Sequence, residues 1–298
     1  CVANSNTSYG ILVTSGVSNT ITQNQANSGS NYGIALSGGA RNTITQNSLA
    51  SNSNAGVYLT ANADTNTISN NTVSASSTGI TVESSSSFNT ISGNTVSSNT
   101  TNGIYLLTGA SKNVVRNNLL RSNAVAGIRI GSADTNVVTQ NEMTSNDTGL
   151  WLSDAARFNS VMKNNIFGNS VNNLRNSSGQ VQTSLSRNWW GSADSVAINS
   201  KISDTAANAW QPYRLALVDT AAGADTVAPK APDSVSVIGS PSDTSVILEW
   251  SAVTANEETS AGGTALSGYR VYRSAVKDTS SWIKVAQTGS GVIRWQDT

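Results

Sequence analysis

The sequence contains no histidine and one cysteine, Cys1, among its 298 residues. These absences exclude imidazole bases, histidine metal ligands, internal disulfides and thiolate zinc sites. Charged residues make up 11% of the chain, and its 17 basic residues balance its 17 acidic residues. Nucleic-acid binding through counterion release needs a basic surface, so we expect no nucleic-acid partner. The chain also lacks an apolar run long enough to span a bilayer, so we expect no membrane span.

Two sequence markers recur in the first part of the chain, a glycine marker every 22 to 24 residues and an asparagine marker every 23 or 24. One is a glycine followed by an aliphatic residue, and the other is an asparagine followed by an alternating Thr/Val/Ser and Ile/Val pair. The short alternation in each unit, as in Gly56-Val57-Tyr58-Leu59, is typical of strands and not of helices. Short strands at a fixed period stack on their copies about 4.8 Å away, which predicts a parallel β-helix. The glycines are Gly10, Gly33, Gly56, Gly79, Gly103, Gly127 and Gly149, and the asparagines are Asn19, Asn42, Asn66, Asn89, Asn113, Asn136 and Asn159.

Four columns of aliphatic residues are expected to fill the core, at roughly 1.5 to 3 kcal/mol for each buried side chain. Asparagine also recurs five residues after each asparagine marker, at Asn24, Asn47, Asn71, Asn94, Asn118, Asn141 and Asn164. Because asparagine tolerates left-handed backbone angles and its amide can bond the copies above and below, we expect an internal ladder at these turns. The core columns are Ile34, Val57, Ile80, Ile104, Ile128 and Leu150; Leu36, Leu59, Val82, Leu106, Ile130 and Leu152; Ile21, Ile44, Ile68, Ile91, Val115, Val138 and Val161; and Leu49, Val73, Val96, Leu120, Met143 and Ile166.

These columns, together with Asn188-Trp189-Trp190-Gly191, resemble the parallel β-helix repeat family of secreted carbohydrate-binding proteins and sugar hydrolases. The resemblance covers residues 1–217 and implies an all-β, right-handed, single-stranded parallel β-helix. In bacterial members an Asn-aromatic-Trp-Gly element marks the last coils. An open end of a solenoid exposes strand edges, so we expect a cap from about residue 186. The expected cap residues are Trp189, Trp190, Trp210 and Tyr213.

The C-terminal part of the chain has a different composition. Residues 218–232 have the composition of a linker, and residues 233–298 contain alternating segments separated by turn residues. Leu248-Glu249-Trp250 and Gly268-Tyr269-Arg270-Val271-Tyr272-Arg273 resemble strands of a fibronectin type III sandwich, of which the last strands are missing. We therefore expect a partial fibronectin III-like β-sandwich. The chain is then a fragment of a longer protein, or another chain completes the sandwich edge.

The acidic residues do not form an evident catalytic or metal site. Asp64 and Asp134 share a column but lie three coils, or roughly 14 Å, apart. Other carboxylates occupy different columns, and none forms the pair at about 5 to 10 Å that glycoside hydrolysis uses. We therefore expect no catalytic residue, no metal and no cofactor. The other carboxylates are Glu83, Glu142, Asp147 and Asp154.

The outward column two residues after each glycine marker carries Tyr58, Tyr105, Arg129 and Trp151. Strand alternation points these side chains away from the core, with two coils, roughly 10 Å, between successive aromatic residues. Sugars stack on aromatic faces, and Arg129 beside Trp151 can pair with a uronate or sulfate. We expect these four residues to bind carbohydrate. The competing interpretation is that tyrosine simply favours pleated surfaces.

A flat Thr-x-Thr array over four coils gives a third hypothesis. It resembles the ice-facing surfaces of β-solenoid antifreeze proteins, although threonine is a common surface residue in strands. This pattern keeps ice binding as a remote alternative. The array comprises Thr20/Thr22, Thr43/Thr45, Thr67/Ser69 and Thr90/Ser92.

The sequence therefore favours a secreted or cell-surface bacterial protein that is not an enzyme. In this interpretation it is a non-catalytic scaffold or adhesive protein that binds polysaccharide through the aromatic column, and self-assembly is a further expected interaction. The alternative is a polysaccharide-active enzyme, either a lyase or a glycosidase, or the carbohydrate-binding module of such an enzyme.

Overall fold

The computed structural model describes residues 1–206, 208, 210, 213–214, 235–242, 245–251, 268–273, 283–289 and 293–297. The chain divides into two compact units, Cys1–Ala222 and Gly223–Thr298. The expected linker, residues 218–232, lies outside the described residues. No helix within the described ranges is both long and apolar enough to cross a membrane.

The first unit is a right-handed parallel β-helix, as the sequence predicted, with three sheets that run along its length. Strands are numbered here in chain order. The front sheet has nine strands: β1 (Tyr9–Thr14), β3 (Tyr32–Ser37), β6 (Ala55–Thr60), β9 (Thr78–Val82), β12 (Asn102–Leu107), β15 (Ala126–Gly131), β18 (Thr148–Ser153), β21 (Asn172–Asn176) and β22 (Ile202–Asp204).

The other two sheets are built from strands of three residues each. The second sheet has seven: β2 (Thr20–Thr22), β4 (Thr43–Thr45), β7 (Thr67–Ser69), β10 (Thr90–Ser92), β13 (Val114–Arg116), β16 (Val137–Thr139) and β19 (Ser160–Met162). The third sheet has six: β5 (Ser48–Ala50), β8 (Thr72–Ser74), β11 (Thr95–Ser97), β14 (Leu119–Arg121), β17 (Glu142–Thr144) and β20 (Asn165–Phe167).

The four predicted aliphatic columns form the core. Strand pairing aligns each residue with its counterpart in the next coil, for example Ile104 with Ile128 and Val96 with Leu120. Every member of the four columns is buried, and Ile21, in the first coils, is the most exposed at 8%. The sequence period therefore predicts both the register and the inward face of the sheets.

The predicted asparagine ladder is present and continues through Asn188. In its middle, the Asn118 side chain accepts from Asn94 and donates to Asn141 and to the carbonyl of Ile91. The asparagine markers, which were read only as a repeat signal, form a second ladder of the same kind from Asn19 to Asn159.

The left-handed backbone does not fall on the ladder asparagines themselves. It falls on the preceding residue, such as Gln140 (φ 55°) before Asn141 or Lys163 (φ 57°) before Asn164. The reason is that the preceding residue makes the turn, and this leaves the asparagine side chain pointing inward, where it reaches its neighbours.

The glycine markers are required by the close approach of successive coils. A Cβ atom on Gly103 would lie 2.6 Å from the carbonyl oxygen of Gly127 and 2.9 Å from the Asn123 amide nitrogen. The backbone oxygen cannot move freely, and neither can the buried Asn123 amide, which donates to Asn146, so only glycine fits at this position.

At the C-terminal end of the solenoid, Trp190 is buried in the core. Trp210 and Tyr213 pack against that core, with their ring centroids 5.6 Å apart. Trp189 is half-buried, and its backbone forms an isolated parallel β-bridge with Asn165. A short helix, α1 (Ser195–Asn199), begins at Asp194, whose side chain accepts from the backbone N–H of Val196.

The second unit contains two antiparallel sheets. One comprises β23 (Val235–Ser242), β24 (Ser245–Trp250) and β27 (Arg294–Asp297), and the other comprises β25 (Gly268–Arg273) and β26 (Ile283–Gly289). The Trp250 ring is buried and meets the Tyr269 ring edge-on, with 5.3 Å between centroids. This arrangement is consistent with a partial sandwich.

Candidate functional site

The exposed face of the front sheet carries the candidate site. Parallel pairing places Tyr105 opposite Arg129, Arg129 opposite Trp151, and Trp151 opposite Arg175. Tyr58 lies in the same column, separated from Tyr105 by one threonine. All four residues predicted from the sequence therefore occupy one row along the helix axis.

Trp151 lies between two guanidinium groups. The guanidinium carbon of Arg129 is 4.1 Å from the indole centroid, and that of Arg175 is 4.5 Å from it. The indole N–H donates to the Ser177 hydroxyl at 3.0 Å. Because the arginines come from the coils before and after Trp151, they occupy opposite ring faces. Neither indole face is therefore open, in contrast to the open aromatic face expected from the sequence.

The Arg129 side chain joins the row to an acidic residue. Its guanidinium carbon is 4.8 Å from the Tyr105 centroid, its Nε donates to the Ser153 hydroxyl at 3.0 Å, and Nη2 lies 3.7 Å from the Asp154 carboxylate. Arg129 is thus held between two aromatic rings and partly neutralised. Arg175 is exposed, and the two ion pairs found within the described residues involve other arginines.

Gly131 provides space for polar groups beside this row. A Cβ atom at that position would lie 2.6 Å from Asp154 Oδ2, 3.1 Å from Ser153 Oγ and 3.2 Å from the Tyr105 hydroxyl. Burial raises the pKa of Tyr105, Arg129 lowers it, and the nearby carboxylates of Asp154 and Glu83 raise it; the net shift is upward. The Tyr105 hydroxyl therefore keeps its proton at neutral pH.

A tyrosine stack occupies the N-terminal end of the same face. The Tyr32 ring lies 5.6 Å from Tyr9 and 4.2 Å from Tyr58, and the Tyr32 and Tyr58 rings are nearly parallel. The Tyr58 hydroxyl donates a short hydrogen bond to Glu83. Burial and this bond raise the pKa of Tyr58 well above its ordinary value, so Tyr58 also remains protonated.

Two acidic residues lie on this face although the sequence does not predict it. Glu83 and Asp154 occupy different columns of the repeat, so the sequence gives no sign that both lie near Tyr105. In the structure both carboxylates raise the pKa of Tyr105, because neighbouring columns lie on the same sheet surface.

Arg175 belongs to the same row in the coil after Trp151, one coil beyond the predicted residues. Tyr32 is not in this row, because its partner in the next strand is Ala55 and not Tyr58. No group of three or more His, Cys, Asp or Glu residues able to hold a metal occurs in the described part of the chain.

The other features noted in the sequence lie elsewhere. The Thr-x-Thr array lies on the second sheet, where Ser69 donates to the Thr45 hydroxyl at 3.2 Å. Asp64 and Asp134 both accept from backbone N–H groups one coil ahead, at Ser87 and Arg157 respectively. Both aspartates therefore take part in the turns.

Comparison with known proteins identifies the fold and several structural neighbours. The family described as right handed beta helix region matches residues 1–120. The periplasmic alginate epimerase AlgG is 17% identical with a TM-score of 0.57, and the aligned part covers 61% of this chain and 47% of AlgG. The A-module of the Azotobacter vinelandii mannuronan C-5 epimerase AlgE4 is 14% identical with a TM-score of 0.52, covering 67% and 58% respectively. The chain thus spans about half the length of these solved structures. No protein of curated function matches it by sequence.

These neighbours correct the functional expectation. The expectation of a non-catalytic scaffold or adhesive protein, and of no enzyme, is wrong: solved structures that share this fold are polysaccharide-modifying epimerases. The finding favours the alternative, a polysaccharide-active enzyme.

Proposed function

We propose that the chain is the substrate-binding β-helix of a polysaccharide-active enzyme that acts on an acidic polysaccharide along the front sheet. The row Tyr105–Arg129–Trp151–Arg175 carries this proposal. Two guanidinium groups on a rigid sheet can each pair with a carboxylate or sulfate. Successive strands lie about 4.8 Å apart, so the row can follow a sugar chain parallel to the helix axis.

The charge distribution supports an acidic substrate over a neutral one. Arg129 is partly neutralised by Asp154, whereas Arg175 is exposed on the same row. Guanidinium groups stacked on an indole lose little conformational freedom when they bind an anion, because the ring already fixes their planes. A substrate carboxylate therefore meets a preorganised cation beside Trp151.

The protonatable groups beside the row suggest a reaction by proton transfer on a uronic acid residue. Pairing of the sugar carboxylate with an arginine makes the proton on the adjacent ring carbon more acidic. Tyr105 remains protonated at neutral pH and lies within the same polar cluster as Arg129, so it can donate a proton to the substrate. Glu83, bonded to Tyr58, is a nearby carboxylate that can accept one.

The test is incubation of the protein with a panel of polyuronates. Proton nuclear magnetic resonance detects epimerised residues, and ultraviolet absorbance detects the unsaturated ends that elimination produces. We expect Tyr105→Phe to abolish turnover with little change in binding, and Arg175→Gln to weaken binding. Arg121→Gln is the matched control, since Arg121 is exposed on the third sheet.

Two outcomes of this experiment separate the alternatives. Binding that requires Arg175 but gives no turnover on any polyuronate assigns the chain as a carbohydrate-binding module. An absence of both binding and turnover, with the fold intact by circular dichroism, overturns the proposal.

The domain organisation that accompanies this function is also a proposal. We infer a solenoid at residues 1–217, capped from about 186, then a linker at 218–232 and a fibronectin III-like module at 233–298. The antiparallel pairing of β23 with β24 and the buried Trp250 support the module. A polysaccharide substrate favours a secreted, periplasmic or cell-surface location, which fractionation of the source cells tests.

A further inference from the structure

Two phenylalanines occupy an unusual position on the ridge of turns between the front and second sheets. Phe88 and Phe158 have left-handed φ angles of 59° and 55°, and their side chains are 55% and 52% exposed. A bulky side chain in this backbone region is sterically disfavoured, and an exposed aromatic ring gains nothing from the core. The fold therefore gives no reason for phenylalanine at either site.

The other coils confirm that the turn itself does not need an aromatic residue. The residues that precede the asparagine markers form one column of turn residues, in which the N–H groups of Phe88, Phe158 and most other members bond to a carbonyl in the next coil. Apart from the two phenylalanines, the members of this column that share the left-handed φ are polar: Ser18, Arg41, Thr65, Lys112 and Thr135. Phenylalanine at two coils is therefore a surface feature.

Each phenylalanine ring has a cation next to it. The Lys112 ammonium lies 5.1 Å from the Phe88 centroid, and the Arg157 guanidinium carbon lies 5.5 Å from the Phe158 centroid. Arg157 also pairs with Asp134 at 3.0 Å. Its net charge is thereby compensated, so the ridge near Phe158 presents an aromatic ring with polar neighbours and little net charge.

A cavity lies one coil beyond Phe158. It has a volume of about 260 Å³, and Val181, Thr183, Ser184 and Asn208 are among the residues that line it. Thr183 donates from its hydroxyl to the Phe158 carbonyl at 2.8 Å, which places the cavity beside that residue. Val181 is 63% exposed, so an apolar surface continues from the Phe158 turn to the cavity.

We propose that Phe158 and this cavity form a second carbohydrate-binding site, separate from the front-sheet row, and that Phe88 extends it along the ridge. A pyranose ring has an apolar face that stacks on an aromatic side chain and hydroxyl edges that bond hydroxyl and amide groups. The cavity is smaller than the pockets of about 300 Å³ and above that hold drug-sized ligands, which suits a single sugar ring.

The two phenylalanines can contact one sugar chain. They are three coils apart, or about 14 Å along the axis. An oligosaccharide lying along the ridge can therefore stack on both rings while one end enters the cavity. At Phe158 and in the cavity the sugar is held without an ion pair, so the affinity there is independent of salt, unlike that of the front row.

The test uses the Arg129→Gln/Arg175→Gln double variant of the full chain, which disables the front row. Isothermal titration calorimetry measures its binding of uronic hexasaccharides and of neutral hexasaccharides of glucose, xylose and mannose, at low and high salt. We expect at least one hexasaccharide to bind with an affinity that salt does not change. We further expect Phe158→Thr to lower that affinity at least tenfold, and Phe88→Thr to lower it by a smaller factor.

The threonine variants carry the residue that Thr65 and Thr135 already place in this column, so the turn is retained. Val171→Thr, which removes another exposed apolar side chain (55% exposed), is the control and should bind normally. The proposal is overturned if no hexasaccharide binds the double variant, or if Phe158→Thr binds as tightly as its parent. Neither result bears on turnover at the front row, so the two proposals fail separately.

Discussion

The guanidinium carbon of Arg129 lies 4.1 Å from the ring centroid of Trp151, and Nη2 of the same guanidinium group lies 3.7 Å from the Asp154 carboxylate. This cation is thus held by an aromatic face and a carboxylate together. The Tyr105 ring and the Ser153 hydroxyl also contact this side chain.

Replacement of Trp151 by alanine is expected to release both flanking arginines. The free energy of unfolding should fall by about 1 to 2 kcal/mol, since two partly exposed cation–π contacts are lost. Acidic oligosaccharides should bind at least tenfold more weakly. Urea unfolding measures the stability and calorimetry measures the affinity. Trp151→Phe, which keeps an aromatic ring face, should retain most of the stability and most of the affinity. Unchanged binding in the alanine variant would show that Trp151 does not orient the arginines.

The middle of the asparagine ladder should be more sensitive to substitution than its end. Asn118→Ala removes bonds to Asn94, Asn141 and the Ile91 carbonyl at a buried position. We expect the free energy of unfolding to fall by about 3 kcal/mol, because the buried hydrogen-bond partners of Asn118 are left unsatisfied. Asn24→Ala, at the half-buried start of the same ladder, should cost less than about 1 kcal/mol. Equal losses in chemical denaturation would argue against a cooperative ladder.

The glycine column predicts a second stability contrast. Gly103→Ala places a Cβ atom 2.6 Å from the Gly127 carbonyl oxygen, so the coils must separate locally, and we expect a loss of about 3 kcal/mol. At Gly168 a new Cβ atom would meet open space, but the backbone φ is 63°. Gly168→Ala should therefore lower the free energy of unfolding by about 1 kcal/mol through backbone strain alone. Thermal unfolding of the two variants, compared with the parent, distinguishes close approach from conformational freedom.

The Tyr58 hydroxyl should make stability depend on alkaline pH. Its pKa in the folded protein is raised, chiefly by burial and then by the bond to Glu83, whereas in the unfolded chain it is near 10. Above about pH 10 the unfolded state loses this proton first, so the folded state loses stability as the pH rises.

The Tyr58→Phe variant should lose less stability than the parent between about pH 10 and 11, because it has no proton to release there. Urea unfolding across this window measures the difference. Between pH 7 and 9 Tyr58 is protonated in both the folded and the unfolded parent. The difference in free energy of unfolding between variant and parent should therefore stay constant over this range. The same slope for both proteins above pH 10 would contradict the raised pKa of Tyr58 in the folded protein.

Much of the fold could be predicted because its determinants are local and periodic. A period of 23 or 24 residues sets the coil length, and the strand alternation selects the inward side chains. The sequence alone therefore places Ile104 and Ile128 in one column, where the structure pairs them. The outward row of Tyr58, Tyr105, Arg129 and Trp151 followed from the same alternation. The left-handed turn residues did not, because asparagine preferences alone do not say which of two adjacent residues makes the turn.

The sequence by itself determined the solenoid, its register and the residues of the front row, since each depends on position within a repeat. Only the tertiary structure decided what those side chains contact. The direction of a long side chain is not set by its column: Arg129 and Arg175 cover both faces of Trp151, and Glu83 and Asp154 approach Tyr105 from different columns. The cavity beside Phe158 likewise depends on the last coil and on Asn208, which lie beyond the regular repeats.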